Sequence, residues 1–132
     1  MIWFWIIIFH MVGDYILQPS WMADLKTQIW WPAVLHGIAY TLPYLLLTRN
    51  IWALLIIAVT HMVIDRYRLI KYLLWFKNQI GPRVFRYSFA DADGTGYHKG
   101  HPPVWMSVWL MIIADNTVHL IINGLAFILF VL

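Results

Sequence analysis

Four apolar stretches alternate with more polar ones along this chain, and each predicts a helix. They cover about 1–17, 31–47, 51–76 and 104–132. A membrane-spanning helix needs roughly 20 mostly apolar residues, within a range of about 17–25. The pattern therefore predicts an all-α, polytopic membrane protein in which a four-transmembrane-helix bundle forms a single membrane domain over residues 1–132.

The connections follow from the polar stretches. The link at 48–50 is short, so helices two and three are expected to form an antiparallel hairpin. The link at about 77–103 is polar, holds four glycines, and is the sizeable segment expected outside the membrane. The first stretch lacks the basic region and small-residue cleavage site of a signal peptide, so we expect it to be retained.

Composition favours the membrane over other environments. Hydrophobic residues make up 62% of the chain and charged residues 11%, whereas soluble domains carry about 25% charged residues. Nine Trp, seven Tyr and seven Phe suit the aromatic belts at membrane interfaces. The absence of cysteine excludes disulfides and thiolate metal sites. The net charge of +3 is modest, and without a basic run no nucleic-acid binding is expected.

The basic residues predict an orientation. If the helices alternate in direction, Arg49 lies on one side and all other Lys and Arg residues lie on the opposite side. Those eight are Lys26, Arg66, Arg68, Lys71, Lys77, Arg83, Arg86 and Lys99. The positive-inside rule then places both termini outside and the 77–103 link in the cytoplasm.

Ionisable residues interrupt the apolar stretches in a regular pattern. Each costs roughly 2.5 kcal/mol or more at membrane depth, so a compensating role is expected. Six of them form His/Asp pairs four residues apart, which share a helix face. With alternating helices, Asp is nearer the cytoplasm in every pair and His is deeper. The seven residues are His10, Asp14, His36, His61, Asp65, Asp115 and His119.

Histidine and carboxylate side chains are typical ligands of divalent metals, so these seven residues predict an intramembrane metal site. One or two ions are expected, Zn²⁺ first and Mn²⁺ as an alternative. Asp14, Asp65 and Asp115 are candidate ligands, one of which is expected to act as general base. Three amides are expected to orient the ligands or water, namely Gln18, Asn116 and Asn123.

The 77–103 link carries a second set of candidates. Its Asp and His residues are expected to form a lid or to supply additional metal ligands, and a flexible glycine-rich turn is the alternative. The set comprises Asp91, Asp93, His98 and His101.

The order of these motifs resembles a known pattern. The chain reads His10-x-x-x-Asp14-x-x-x-Gln18, then Trp21, Asp24, Lys26 and His36, then His61-x-x-x-Asp65 and Asp115-Asn116-x-x-His119. This resembles an uncharacterised family of small membrane proteins from bacteria and their phages. The departures are Tyr15, where that family often has Phe, and Asn116, where it often has Gln. The pattern is also similar to that of membrane-bound metal-dependent hydrolases.

The resemblance implies location in a bacterial inner membrane, or a phage-encoded protein in the host inner membrane. With the His/Asp cluster, it predicts a metal-dependent hydrolase that acts near the cytoplasmic leaflet on a phospholipid or lipid-linked phosphate. A peptide bond near the membrane surface is another substrate class. An ion- or proton-translocating protein using the same cluster is one alternative, and a phage-type effector acting by protein contact is another. The small bundle also suggests a homo-oligomer.

Overall fold

The computed structural model describes residues 1–132, apart from the side chain of Phe85, and confirms the all-α class. Across this part of the chain there are six α-helices: α1 (Ile2–Met11), α2 (Ser20–Leu25), α3 (Trp30–Thr41), α4 (Ile51–Tyr67), α5 (Ile70–Gln79) and α6 (Val104–Phe130). A π-helical turn, Val12–Ile16, follows α1 directly. Short 3₁₀ turns cover Leu42–Leu46, Arg83–Phe85 and Phe89–Asp91.

The prediction of four membrane-length helices is wrong, because the structure does not show a four-transmembrane bundle. Within the described residues, α6 alone is long and apolar enough to cross a membrane, with 27 residues from Val104 to Phe130. At 1.5 Å per residue its length is roughly 40 Å. The apolar segment Ile2–Ile16 falls short of a span.

Local backbone chemistry explains where the other predicted helices stop. The second ends as an α-helix at Thr41 and continues as a 3₁₀ turn that contains Pro43. Proline lacks the N–H that continues an α-helix, and its ring clashes with the preceding turn. The third divides into α4 and α5 at Arg68, whose φ of 50° lies in the left-handed region. That conformation interrupts a right-handed helix.

The first of two compact units contains Met1–Tyr67 and Val118–Leu132. Its core lies between α1, α3, α4 and the end of α6. The buried apolar side chains are those of Ile6, Phe9, Tyr40, Tyr44, Leu54, Ile57, Ala126 and Phe127. Several of these are aromatic, so their packing fixes the distances between the helices that carry the polar residues.

The second unit contains Arg68–Thr117. Tyr87 organises its irregular segment: its hydroxyl donates a hydrogen bond to Gly96 O at 2.9 Å and accepts one from Asn78 Nδ2 at 3.0 Å. Burial raises the pKa of the Tyr87 hydroxyl. Gly96 has φ of 88°, and a Cβ there would lie 2.0 Å from Lys71 O. A glycine is therefore required at this position.

Gly13 allows the π-helical turn to approach α3 closely. A Cβ at Gly13 would lie 2.5 Å from Tyr40 Cδ2 and 3.1 Å from Tyr40 Cα. The second contact is to backbone, which cannot rotate away as a side chain can. The absence of a side chain at Gly13 is therefore what permits its neighbour Asp14 to be carried close to α3.

We expect Gly13→Ala to lower the free energy of unfolding by about 1–3 kcal/mol, because the added methyl group overpacks this contact. Thermal and chemical unfolding of the full chain in detergent micelles measures the change. Gly94→Ala is the matched control, since a Cβ at Gly94 would have no atom within 4 Å. Equal stability of the two variants would contradict this account.

Candidate metal centre

Four predicted site residues come together inside the first unit. They are Asp14, His36, His61 and Asp65, and one ligand atom from each lies within 4.8 Å of all the others. His36, His61 and Asp65 are buried, and the Asp14 side chain is 11% exposed. These buried His and Asp groups could hold a metal ion.

The four nitrogen–oxygen separations in the cluster are close to those of a tetrahedral site, whereas the two Nε2 atoms lie closer together, at 2.8 Å. Asp14 Oδ1 lies 3.2 Å from His36 Nε2 and 3.1 Å from His61 Nε2. Asp65 Oδ2 lies 3.3 Å from each of the same two nitrogens. Bonds of about 2.0–2.1 Å to Zn²⁺ imply donor separations of about 3.3–3.4 Å in an ideal tetrahedron. The two nitrogens and two oxygens therefore surround a space that suits a small divalent cation.

Buried polar atoms without hydrogen-bond partners also support a cation site in the cluster. Asp14 Oδ1 is buried, and neither of its close contacts with the imidazoles has hydrogen-bond geometry. A buried carboxylate oxygen without a hydrogen bond is costly, and a bound cation would compensate it. His36 Nδ1 is also buried without a hydrogen bond, so the polar contacts of that ring are made by its Nε2.

Three different elements supply the four groups. Asp14 lies on the π-helical turn, His36 on α3, and His61 with Asp65 on successive turns of α4. π-Helical turns occur frequently at functional sites, because the extra residue per turn re-aims side chains. Here the turn carries Asp14 toward both histidines.

Lys26 reaches the edge of this cluster from the end of α2. Its Nζ donates to Asp65 Oδ2 at 2.5 Å and to Gln18 Oε1 at 2.6 Å. The same Nζ lies 3.4 Å from His36 Nε2. The Lys26 side chain is 16% exposed. An ammonium group therefore neutralises the oxygen of Asp65 that also faces the two histidines.

His119 and His10 flank the four groups. His119 Nε2 lies 3.2 Å from Asp65 Oδ1, and its Nδ1 lies 3.2 Å from His61 Nδ1. His10 Nδ1 lies 3.5 Å from Asp14 Oδ2. Each of these histidines thus touches the second oxygen of a cluster carboxylate, the one that does not face His36 and His61.

A tyrosine and an asparagine support the imidazoles from behind. The Tyr40 ring stacks on His61 with 3.6 Å between ring centroids, and its hydroxyl lies 2.7 Å from His10 Nδ1. Asn123 Nδ2 donates to the hydroxyls of Tyr40 and Tyr44 at 2.6 and 2.8 Å. Asn123 was predicted to orient ligands, and it contacts the tyrosines that hold the histidine rings.

The remaining predicted residues lie in the second unit. Asp115 and Asn116 are on α6, with Asp115 one helical turn before His119 along the chain. Asp93 caps its own turn, because its Oδ1 accepts from Thr95 N and Thr95 Oγ1 at 2.7 and 2.5 Å. Asp91 is exposed. His98 and His101 line a cavity of about 630 Å³ together with Lys77 and Arg86.

Sequence reasoning missed Lys26 and Tyr40. Lys26 was counted among the basic residues that predict the orientation and was part of the family pattern, but nothing in its spacing indicates a contact with Asp65, 39 residues away. Tyr40 did leave a signal: His36, Tyr40 and Tyr44 recur every four residues along one stretch. Extending the polar stripe of the second helix would have found it.

We expect Tyr40→Phe to lower the free energy of unfolding by about 1–3 kcal/mol, because Asn123 and His10 each lose a buried hydrogen-bond partner. The ring, and hence its stacking on His61, is retained. Unfolding in detergent micelles measures the change. Tyr67→Phe, at an exposed tyrosine, is the control and should stay within about 0.5 kcal/mol of the wild type. A Tyr40→Phe variant as stable as this control would show that the Tyr40 hydroxyl does not stabilise the site.

Comparison with known proteins identifies the family to which the chain belongs. No curated protein and no solved structure was found to match the chain. A family model described as "Protein of unknown function (DUF3307)" matches residues 2–89. That segment contains all four residues of the buried cluster, as well as Lys26 and Tyr40. Because the match covers more than half of its length, the chain belongs to the DUF3307 family.

Proposed function

We propose that this protein is a membrane-embedded, metal-dependent hydrolase that acts near the cytoplasmic leaflet on a phospholipid or lipid-linked phosphate. The observation that carries the proposal is the convergence of Asp14 Oδ1, Asp65 Oδ2 and the Nε2 atoms of His36 and His61. Nitrogen and oxygen donors in this combination suit Zn²⁺, and Mn²⁺ is the alternative.

The cluster of four converging groups has room for one ion, with its ligands drawn from these four. A divalent ion supplies Lewis acidity and activates water for attack on a phosphoryl group. His61 is positioned for metal binding by the stacked Tyr40 ring and by His119. Such supporting contacts keep a ligand ring in place, and the loss of one typically lowers metal affinity by about 10–100-fold. A second ion, also predicted from the sequence, would need ligands beyond these four.

Exposed apolar surface supports the membrane location. Large hydrophobic side chains are exposed along α6, including Trp105 at 64%, Trp109 at 61% and Leu129 at 70%. The apolar helix α1 likewise exposes Trp3, Phe4 and Ile7. Exposed apolar surface of this extent marks a membrane or protein contact. We propose an integral protein of a bacterial inner membrane, or of a host membrane if phage-encoded, and a homo-oligomer stays a prediction.

A proton or ion relay is the second candidate function. His36 Nε2 lies 2.8 Å from His61 Nε2, a hydrogen-bond distance, and His61 Nδ1 lies 3.2 Å from His119 Nδ1. Such a continuous row of imidazoles favours proton transfer. Flux in proteoliposomes that persists after thorough chelation would favour the relay over the hydrolase. The third function, an effector acting by protein contact, stays a prediction.

We expect the purified full chain to retain one equivalent of Zn²⁺, measured by elemental analysis and calorimetry in detergent. Asp14→Asn should weaken binding by more than the roughly 10–100-fold that supporting residues cost, because it removes a charged ligand while keeping its size. Asp24→Asn, at an exposed carboxylate, is the matched control and should bind as the wild type does.

Activity is tested with the same proteins. Release of phosphate or headgroup from a lipid-linked phosphate in mixed micelles should depend on Zn²⁺ or Mn²⁺, disappear on chelation and disappear in Asp14→Asn. Stoichiometric metal binding without hydrolysis of any such lipid would support the metal site and contradict the hydrolase proposal. Absence of metal binding by the wild type would contradict both the metal site and the hydrolase proposal.

The orientation generates a separate prediction, and the absence of native cysteine makes it clean to test. Lys99 precedes α6 and Leu132 follows it, and both are exposed. With α6 as the spanning helix and the basic link before it in the cytoplasm, an impermeant maleimide applied to intact cells should label Leu132→Cys, and should label Lys99→Cys only after permeabilisation. Labelling of Lys99→Cys from outside would reverse the assignment.

A further inference from the structure

Among the residues that the structure describes, Lys26 is the one lysine or arginine that pairs with a carboxylate of the four-group cluster. Its Nζ is 2.5 Å from Asp65 Oδ2, the same oxygen that lies 3.3 Å from His36 Nε2 and from His61 Nε2. An ammonium and a metal ion would therefore both draw on one oxygen atom. Like charges this close repel strongly, because a partly buried site screens them poorly.

The charges of the cluster show what Lys26 changes. Asp14 and Asp65 contribute two negative charges, and the imidazoles count as neutral because a histidine must be neutral to bind a metal. On this count the ligand set has a net charge of −1 with Lys26 and of −2 without it. A divalent ion would bring it to +1, whereas without the ammonium it would bring it to zero. Lys26 therefore disfavours metal binding and disfavours Asp65 as a ligand in particular.

Gln18 fixes the ammonium in this place. Gln18 Oε1 accepts from Lys26 Nζ at 2.6 Å, so two oxygens from different elements hold the same group. Lysine side chains lose considerable freedom when ordered, and a second oxygen acceptor helps to offset that cost. Gln18 thus acts on Lys26 rather than on a cluster histidine.

We propose that Lys26 holds Asp65 back from the metal, so that Asp14, His36 and His61 bind the ion and the Asp65 side of the site stays open. Catalytic zinc sites keep three protein ligands and an open position, whereas structural sites are closed by four. Lys26 is thus a positioning residue that determines the coordination and affinity of the site. This inference rests on the proposed function, because it requires the site to bind a metal.

The test compares Zn²⁺ binding by the wild type, Lys26→Met and Lys26→Arg, each as the full chain in detergent. Methionine keeps the length and apolar character of the stem and removes the charge, so Lys26→Met should bind Zn²⁺ at least tenfold more tightly by calorimetry. Co²⁺ substitution should show a changed visible spectrum as Asp65 becomes a ligand. Lys26→Arg keeps the charge and should stay within threefold of the wild type.

Controls separate this inference from the proposed function. Lys99→Met removes a remote surface charge, and its Zn²⁺ affinity should stay within twofold of the wild type. Asp65→Asn should weaken Zn²⁺ binding by Lys26→Met at least tenfold more than it weakens binding by the wild type, because Asp65 is a metal ligand only in Lys26→Met. Equal affinity of the wild type and Lys26→Met, or weaker binding by Lys26→Met, would overturn the role of Lys26 and leave the metal site standing. Failure of both proteins to bind Zn²⁺ would overturn the metal site itself.

Discussion

The carboxylate of Asp65 is the group on which the first unit depends most. Its Oδ2 faces Lys26, His36 and His61, and its Oδ1 faces His119. A buried carboxylate without partners would be strongly destabilising, whereas one surrounded by donors on several helices ties those helices together. The side chain on α4 thereby links α2, α3 and α6, and the cluster has a structural consequence whether or not an ion is bound.

The interruptions of the helices serve the same cluster. The π-helical turn brings Asp14 inward, and Gly13 permits the close approach to Tyr40 that this requires. Regular α-helices of membrane length would expose these polar groups at fixed angles. Short helices joined by turns allow the groups to converge from several directions. The lengths of the apolar stretches in the sequence therefore indicate which surfaces are apolar. The interruptions of the helices are what allow the polar groups of the site to converge.

Much of the site was predictable because i, i+4 spacing is a local rule. The pairs containing Asp14 and Asp65 were identified from single helices, and the all-α class followed from the lengths of the apolar stretches. The four spans were wrong because hydrophobic length does not register a left-handed residue such as Arg68 or the effect of Pro43 inside an apolar run. The contact of Lys26 was beyond prediction, since it joins residues far apart in sequence.

A metal ion and the Lys26 ammonium group can each supply the positive charge that the two buried carboxylates require. Two carboxylates within one buried cluster repel each other, and positive charge must be supplied to hold them there. Lys26 supplies one positive charge from within the chain, on the side of Asp65, whereas Asp14 Oδ1 has no hydrogen-bond partner. This oxygen and Oδ2 of Asp65 each contact the same two histidines, at 3.1–3.3 Å. The cluster is thus asymmetric, and its asymmetry favours a cation bound nearer to Asp14 than to Asp65.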